Sequence, residues 1–128
     1  MDAARISRTG LDVEWQRLQV IAANIANANT TGYRAQRLLT GPAGGFGALV
    51  RSGVSVMGVQ PVANGVRRVH EPGHPQADAE GFVSYPDIDQ AGEMALMIRT
   101  ARAYEANLTA MGIAHQLYAR ALELGKQA

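Results

Sequence analysis

Cysteine is absent from all 128 residues. That removes disulfides, thiolate metal sites and cysteine nucleophiles in one step, and it selects no redox compartment. Aromatic residues make up only 5% and charged residues 18% of the chain, both low for a globular domain. A compact enzyme of this length needs bulky side chains to fill a core and wall a pocket, and here they are scarce. Charge of one sign is missing too: 12 basic against 11 acidic residues leave a formal net charge of +1. Such a balance points to neither nucleic acid nor an acidic membrane as a partner. No apolar run approaches the roughly 20 residues of a membrane span. Asp2, Arg5, Arg8, Asp12, Glu14 and Arg17 crowd the start of the chain, which argues against a cleavable secretory signal.

What the chain does have is alanine and glycine, 22 and 14 residues, more than a quarter of the total. They are unevenly distributed. From about Ala3 to Asn29 there is no proline, and Gly10 is the only glycine. Leu11, Trp15, Leu18, Ile21, Ala22 and Ile25 recur there at spacings of three and four, which predicts an amphipathic helix. Asn29-Thr30-Thr31-Gly32 predicts its stop, with Gly32 left-handed past the helix end. Residues 38–75 hold eight glycines and four prolines, which no long helix tolerates. Gly41 to Gly47 reads as a mobile loop, Val54-Ser55-Val56 as a strand, and Val62-Ala63-Asn64-Gly65-Val66 as a hairpin turning on Asn-Gly. Pro61 puts the first of these strands at an edge or ends it early. Phe82-Val83-Ser84-Tyr85 predicts a third short strand.

The strongest helical pattern runs from about Ile88 to Leu124. Met94, Met97, Ala101, Tyr104, Leu108, Met111, His115, Tyr118 and Leu122 step by three and four without a miss. This seam predicts coiled-coil-like packing. Asp87 and Asp89 precede it, where negative charge suits a helix N-terminus, and Gly125 is expected to close it. Ala103, Ala110, Ala114 and Ala121 form a second, small-residue stripe. It suits close approach by a second neighbour, although alanine is also simply the best helix former.

The expected fold is therefore mainly α. Residues 1–34 supply an N-terminal helix, 35–87 a glycine-rich loop and small β-hairpin region, and 88–128 a C-terminal helix, all in one domain. The two helices are expected to pack as an antiparallel coiled-coil-like pair. At 1.5 Å per residue they would run about 40 and 50 Å, and a two-helix pair buries only one stripe of each. The uncovered stripes mark an interaction site. The expected assembly interface comprises Leu11, Leu18, Ile21 and Ile25 with Met94, Met97, Ala101, Tyr104, Leu108, Met111, Tyr118 and Leu122.

Candidate chemistry is thin. His70 and His74 have metal-ligand spacing, with Glu71 and Asp78 nearby, but Pro72 and Gly73 between them prevent a helix from aiming both at one ion. Glu71, Asp78, Glu80, Asp87 and Asp89 are scattered acids without an apolar wall or a partner base. No Gly-Lys-Ser/Thr follows the glycine-rich stretch, and no Gly-x-Ser-x-Gly occurs. The residues predict no enzyme, no cofactor and no metal; a small metal-dependent binding domain and a cytoplasmic coiled-coil adaptor are the competing readings. Asn24 and Asn27 are three apart in an apolar stretch. Buried amides need partners, so Asn24 is expected to fix register between packed helices, while Asn27 fits register and turn capping equally.

Two blocks carry a specific resemblance. Ala23-Asn24-Ile25-Ala26-Asn27-Ala28-Asn29-Thr30-Thr31-Gly32-Tyr33-Arg34 resembles the N-terminal signature of bacterial flagellar rod and hook proteins. The stretch from Glu71 through His74, Pro75, Asp78 and Gly81 to Pro86 and Asp89, joined to Arg102-Ala103-Tyr104-Glu105-Ala106-Asn107, is similar to the proximal-rod branch of that family. The resemblance implies a structural subunit of the flagellar basal-body rod. It implies export by the flagellar type III apparatus without cleavage and assembly in the periplasm into a helical shaft that transmits motor torque. The partners it implies are other rod proteins, the basal-body adaptor at the rod base and further copies of the chain.

Overall fold

The computed structural model describes residues 2–44 and 52–127. Two helices enclose two small antiparallel hairpins: α1 (Asp2–Ala26), β1 (Gln36–Pro42), β2 (Val54–Pro61), β3 (Val66–His70), β4 (Phe82–Pro86) and α2 (Gln90–Gln127). Helix accounts for little more than half of the described residues, so the β region is a larger share than a mainly α chain would have. Residues 45–47 of the expected glycine-rich loop lie outside the described residues, and its first two residues, Gly41 and Pro42, close β1.

β1 pairs with β2, and β3 with β4. Leu38 lies opposite Val59 and Leu39 opposite Gly58, after which the register shifts so that Thr40 faces Val56. Met57 is the extra residue of that bulge. The expected Asn-Gly hairpin does not form. Its flanking strands belong to different sheets, because β2 is already paired along its length with β1 and ends at Pro61. Asn64 adopts a φ of +57°, and the turn becomes a crossover fastened at both ends: Val62 N–H donates to the Ala35 carbonyl at 2.8 Å and Asp87 N–H to the Gly65 carbonyl at 2.9 Å. The strand expected at Phe82–Tyr85 is β4, one residue longer.

The helix ends also differ from the expected ones. α1 stops at Ala26, three residues short of Asn29. There the Asn27 amide turns back to the Ala23 carbonyl at 2.8 Å and accepts the Thr30 hydroxyl at 3.1 Å, side-chain bonds that compete with the next helical turn. Gly32 has a φ of +80° but sits beyond this turn, where its N–H donates to the Ser84 carbonyl. Gly125 does not close α2, which continues to Gln127. One glycine at an exposed helix end costs about 1 kcal/mol relative to alanine, too little to stop it.

The core is small, as the shortage of bulky residues requires. Leu11, Val13, Ile21, Ala28, Ala35, Leu38 and Val83 are its buried apolar members, with Pro86 beside them. α1 lies between α2 and the first hairpin. On the hairpin side, Val54 N–H donates to the Thr9 hydroxyl at 3.1 Å, and Val13 follows one turn later with 3% exposure. On the other side Trp15 meets Tyr104, ring centroids 6.3 Å apart. Gly10 lies against Asn107 and Asn24 against Glu93, so the helices run antiparallel.

Candidate assembly interface

The last turn of α1 delivers Asn24 to the point where β1 and α2 both begin. Its side chain is fully buried, and all of its hydrogen-bonding capacity is used. Nδ2 donates to the Gln36 carbonyl at 2.9 Å and to Glu93 Oε2 at 3.3 Å. Oδ1 accepts from the Tyr33 hydroxyl at 2.9 Å and from Gln36 N–H at 3.0 Å. Glu93 is itself 4% exposed, and the Arg37 guanidinium, half out to solvent, pairs with its Oε1. A buried carboxylate is tolerated only when paired and hydrogen-bonded, and Arg37 and Asn24 do both here. Desolvation, followed by the charge of Glu93, raises the pKa of Tyr33. The phenol therefore stays a donor to Asn24. Thus Asn24 contacts α2, and it equally fixes the first peptide of β1.

Further along, the helix pair is tight on one line and open beside it. A Cβ placed on Gly10 would lie 2.7 Å from Asn107 Oδ1, and Asn107 Nδ2 is held by the Ala103 carbonyl at 3.0 Å. Beside this contact runs a groove of about 750 Å³ between Arg8, Leu11 and Trp15 on α1 and Tyr104, Met111 and His115 on α2. The face of α2 turned toward α1 passes through Glu93, Thr100 and Asn107. This spacing of seven escapes a count of apolar residues because its members are polar. The expected seam is split accordingly. Met97, Ala101, Tyr104 and Met111 are half-buried, whereas Met94, Leu108, Tyr118 and Leu122 stay about half exposed. At about 100° per residue, Met94 and Leu108 stand one residue past Glu93 and Asn107 and so turn away from α1, whereas Met97, Tyr104 and Met111 lie only about 40° from that inward line. On α1, Leu11 and Ile21 are buried while Leu18 and Ile25 are half-buried. Val13, Thr9, Arg37, Glu93 and Thr100 were not among the expected interface residues.

The second hairpin is a compact unit built on the motif from Glu71 to Asp89. Asp78 Oδ1 accepts N–H bonds from Glu80 and Phe82, both at 2.9 Å, and Oδ2 meets Arg68 Nη2 at 2.6 Å. The Phe82 N–H, with help from Arg68 and the Glu80 N–H, holds the Asp78 carboxyl below the usual aspartate range. Gly81 closes this loop at a φ of +84°, and a Cβ there would press on His70 and Pro72 at 3.2 Å. His74 Nδ1 accepts from Gln76 N–H, Pro75 is exposed, Pro86 is buried and the Asp89 carbonyl receives the first α2 N–H bond from Glu93. Arg67 lies over the Tyr85 ring and Arg68 over Phe82. His70 packs edge-on against Phe82 rather than joining His74, and no group of three His, Asp or Glu among the described residues is arranged to hold a metal. Thr30, Arg34, Arg102 and Glu105 are exposed and Tyr33 and Asn107 half-buried.

These contacts are structural throughout, and comparison with known proteins agrees. Residues 5–34 match the family described as "Flagella basal body rod protein", and residues 79–124 match "Flagellar basal body rod FlgEFG protein C-terminal". The two modules define a structural component of the flagellar basal-body rod, not an enzyme. The flagellar basal-body rod protein FlgC of Escherichia coli O6:H1 is 35% identical, with 94% of each chain covered. That of Agrobacterium fabrum is 35% identical over 97% of this chain and 94% of its own. The Bacillus subtilis protein is 31% identical over 94% and 95%. The chain belongs to the FlgC family of flagellar basal-body rod proteins. Asn24 and Tyr33 come from the first matched module and Glu93 from the second, whereas Gln36 and Arg37, which join them, lie outside both.

Proposed function

We propose that this rod component sits in the proximal rod and passes torque through many parallel helix contacts in a helical array. Its neighbours there are other rod proteins, further copies of the chain and, at the rod base, the basal-body adaptor. A heterologous contact that does not close generates such an array. The chain reaches its place across the periplasm through the flagellar type III apparatus, with no cleaved signal peptide. Within the array α1 and α2 pair in coiled-coil fashion, Asn24 sets their register, and the uncovered apolar residues are covered by neighbouring helices.

One observation supports this reading above the others. The start of α1, at Ala3 and Ala4, lies level with Ala114 to Tyr118, yet α2 continues to Gln127. Past that level α2 still carries Leu122 and Leu124, both exposed, so apolar residues persist where α1 has ended. Leu108, Ile113, Leu117, Leu122 and Leu124 are exposed on more than one side of the same helix. A helix apolar on several sides is normally surrounded by protein. Leu108→Asp combined with Leu122→Asp should therefore abolish rods while leaving expression and export intact. Motility and electron micrographs of basal bodies from complemented cells test this. Motile cells with complete rods would overturn the assignment.

A further inference from the structure

The Asn64-Gly65 pair forms no hairpin, and its amide side chain takes no part in the core or in the helix contacts. Asn64 is the only non-glycine residue with a positive φ among the described residues, a conformation that asparagine tolerates better than most side chains. A Cβ on Gly65 would lie 3.0 Å from the Val62 carbonyl oxygen, so the second position favours glycine. The Asn64 side chain is exposed and makes no hydrogen bond among the described residues. The other asparagines are placed differently. Asn24, Asn27 and Asn107 have their amides engaged and precede Ile25, Ala28 and Leu108, while Asn29 precedes the β-branched Thr30.

We propose that Asn64 is a site of spontaneous deamidation, and that its product loosens the joint between the two hairpins. Glycine has no side chain to hinder approach to its nitrogen, so the Gly65 amide nitrogen attacks Asn64 Cγ and gives up its proton to solvent. The bond from Cγ to the side-chain nitrogen breaks, ammonia leaves, and a cyclic succinimide remains. Water then opens the ring, with no change of oxidation state. Addition at Cγ gives an aspartyl residue. Addition at the main-chain carbonyl gives an isoaspartyl residue, whose main chain runs through Cβ and Cγ and is one atom longer. Either product takes one unit from the formal net charge of +1. The isoaspartyl product does more, because the crossover is fastened at both ends: Val62 N–H to the Ala35 carbonyl at 2.8 Å, and Asp87 N–H to the Gly65 carbonyl at 2.9 Å. An added backbone atom between these anchors releases one of them. Ala35 adjoins the Gln36 peptide that Asn24 holds, and Asp87 lies just before α2, so the change reaches the start of both elements. The proposal does not depend on the assembly reading.

The full chain, kept folded at mildly alkaline pH and then cut after its arginines, yields a peptide of residues 52–67 in which Asn64 is the only asparagine. Mass spectrometry should show this peptide exchanging NH2 for OH before the peptides that carry the other asparagines. Protein isoaspartate methyltransferase should label it. In the isoaspartyl form, hydrogen exchange at the Val62 or the Asp87 amide should speed by about tenfold, as the loss of one hydrogen bond requires. Asn64→Asp brings the charge without lengthening the main chain, and when freshly prepared it should keep both amides protected. Asn64→Gly accommodates the positive φ and should abolish the labelling. An unmodified Asn64 in the folded chain, under conditions that convert it in the urea-unfolded chain, would overturn the proposal. So would an isoaspartyl form in which both amides stay as protected as in the parent.

Discussion

Replacing Asn24 by aspartate changes one nitrogen to oxygen and leaves the volume as it was, so no cavity term enters. The new oxygen would stand 2.9 Å from the Gln36 carbonyl oxygen and 3.3 Å from Glu93 Oε2. Two attractive contacts become repulsive, in a place with no access to water. Leaving a buried donor or acceptor without its partner costs about 1–3 kcal/mol. Adding a second buried carboxylate with a single guanidinium nearby brings the total to roughly 3–5 kcal/mol, against a folding stability of about 5–15 kcal/mol for a domain. Urea unfolding followed by helical circular dichroism should show the midpoint falling with little change in slope. The pH dependence adds a second check. Two carboxyls in one site raise the pKa of one of them, so the penalty is complete at neutral pH and shrinks as pH falls and one carboxyl takes up a proton, restoring a donor. A loss below about 1 kcal/mol, or one that ignores pH between 7 and roughly 5, would refute the account of the site.

Gly10→Ala gains about 1 kcal/mol in helix propensity but sets a methyl group against the Asn107 amide at 2.7–2.9 Å, and overpacking costs about 1–3 kcal/mol. The variant should be less stable than the parent. In an Asn107→Ala background the same change should become stabilising, a sign reversal that a double-mutant cycle reads directly. Because the folded-state pKa of Asp78 is lowered, its contribution is present above the ordinary aspartate value of about 3.9 and is lost as pH falls through the folded value. The Glu80 and Phe82 amide resonances, which donate to this carboxylate, should therefore move in acid, and in Asp78→Asn they should not.

The outline of the molecule could be read from residue types alone. A proline-free stretch with apolar residues three and four apart forms a helix wherever it is placed, and glycines and prolines concentrated in the middle exclude one there. Both helices and the strand at Phe82 follow from such local rules. Pairing of the strands does not. Asn64-Gly65 carries strong turn chemistry, yet whether its flanks pair depends on what else competes for β2, and β1 does. The strand at Gln36–Pro42 lacks the alternation that would have marked it, and its place is set by the Asn24 amide on its first peptide.

The same division holds at the interface. Low aromatic and charge content, with alanine on long helices, determined from the sequence that this chain has little to bury by itself, which is the ground for proposing that neighbours complete it. Which line of α2 meets α1 was decided only by the tertiary structure. Apolar spacing favours the bulky stripe, but close approach of the backbones at Gly10 and the need to satisfy buried Asn24 and Glu93 turn the line through Glu93, Thr100 and Asn107 inward. Burial energy is non-directional, whereas a buried amide and carboxylate accept only partners at hydrogen-bonding distance and angle. Those partners come from segments 12 and 69 residues away along the chain, where no local pattern can announce them.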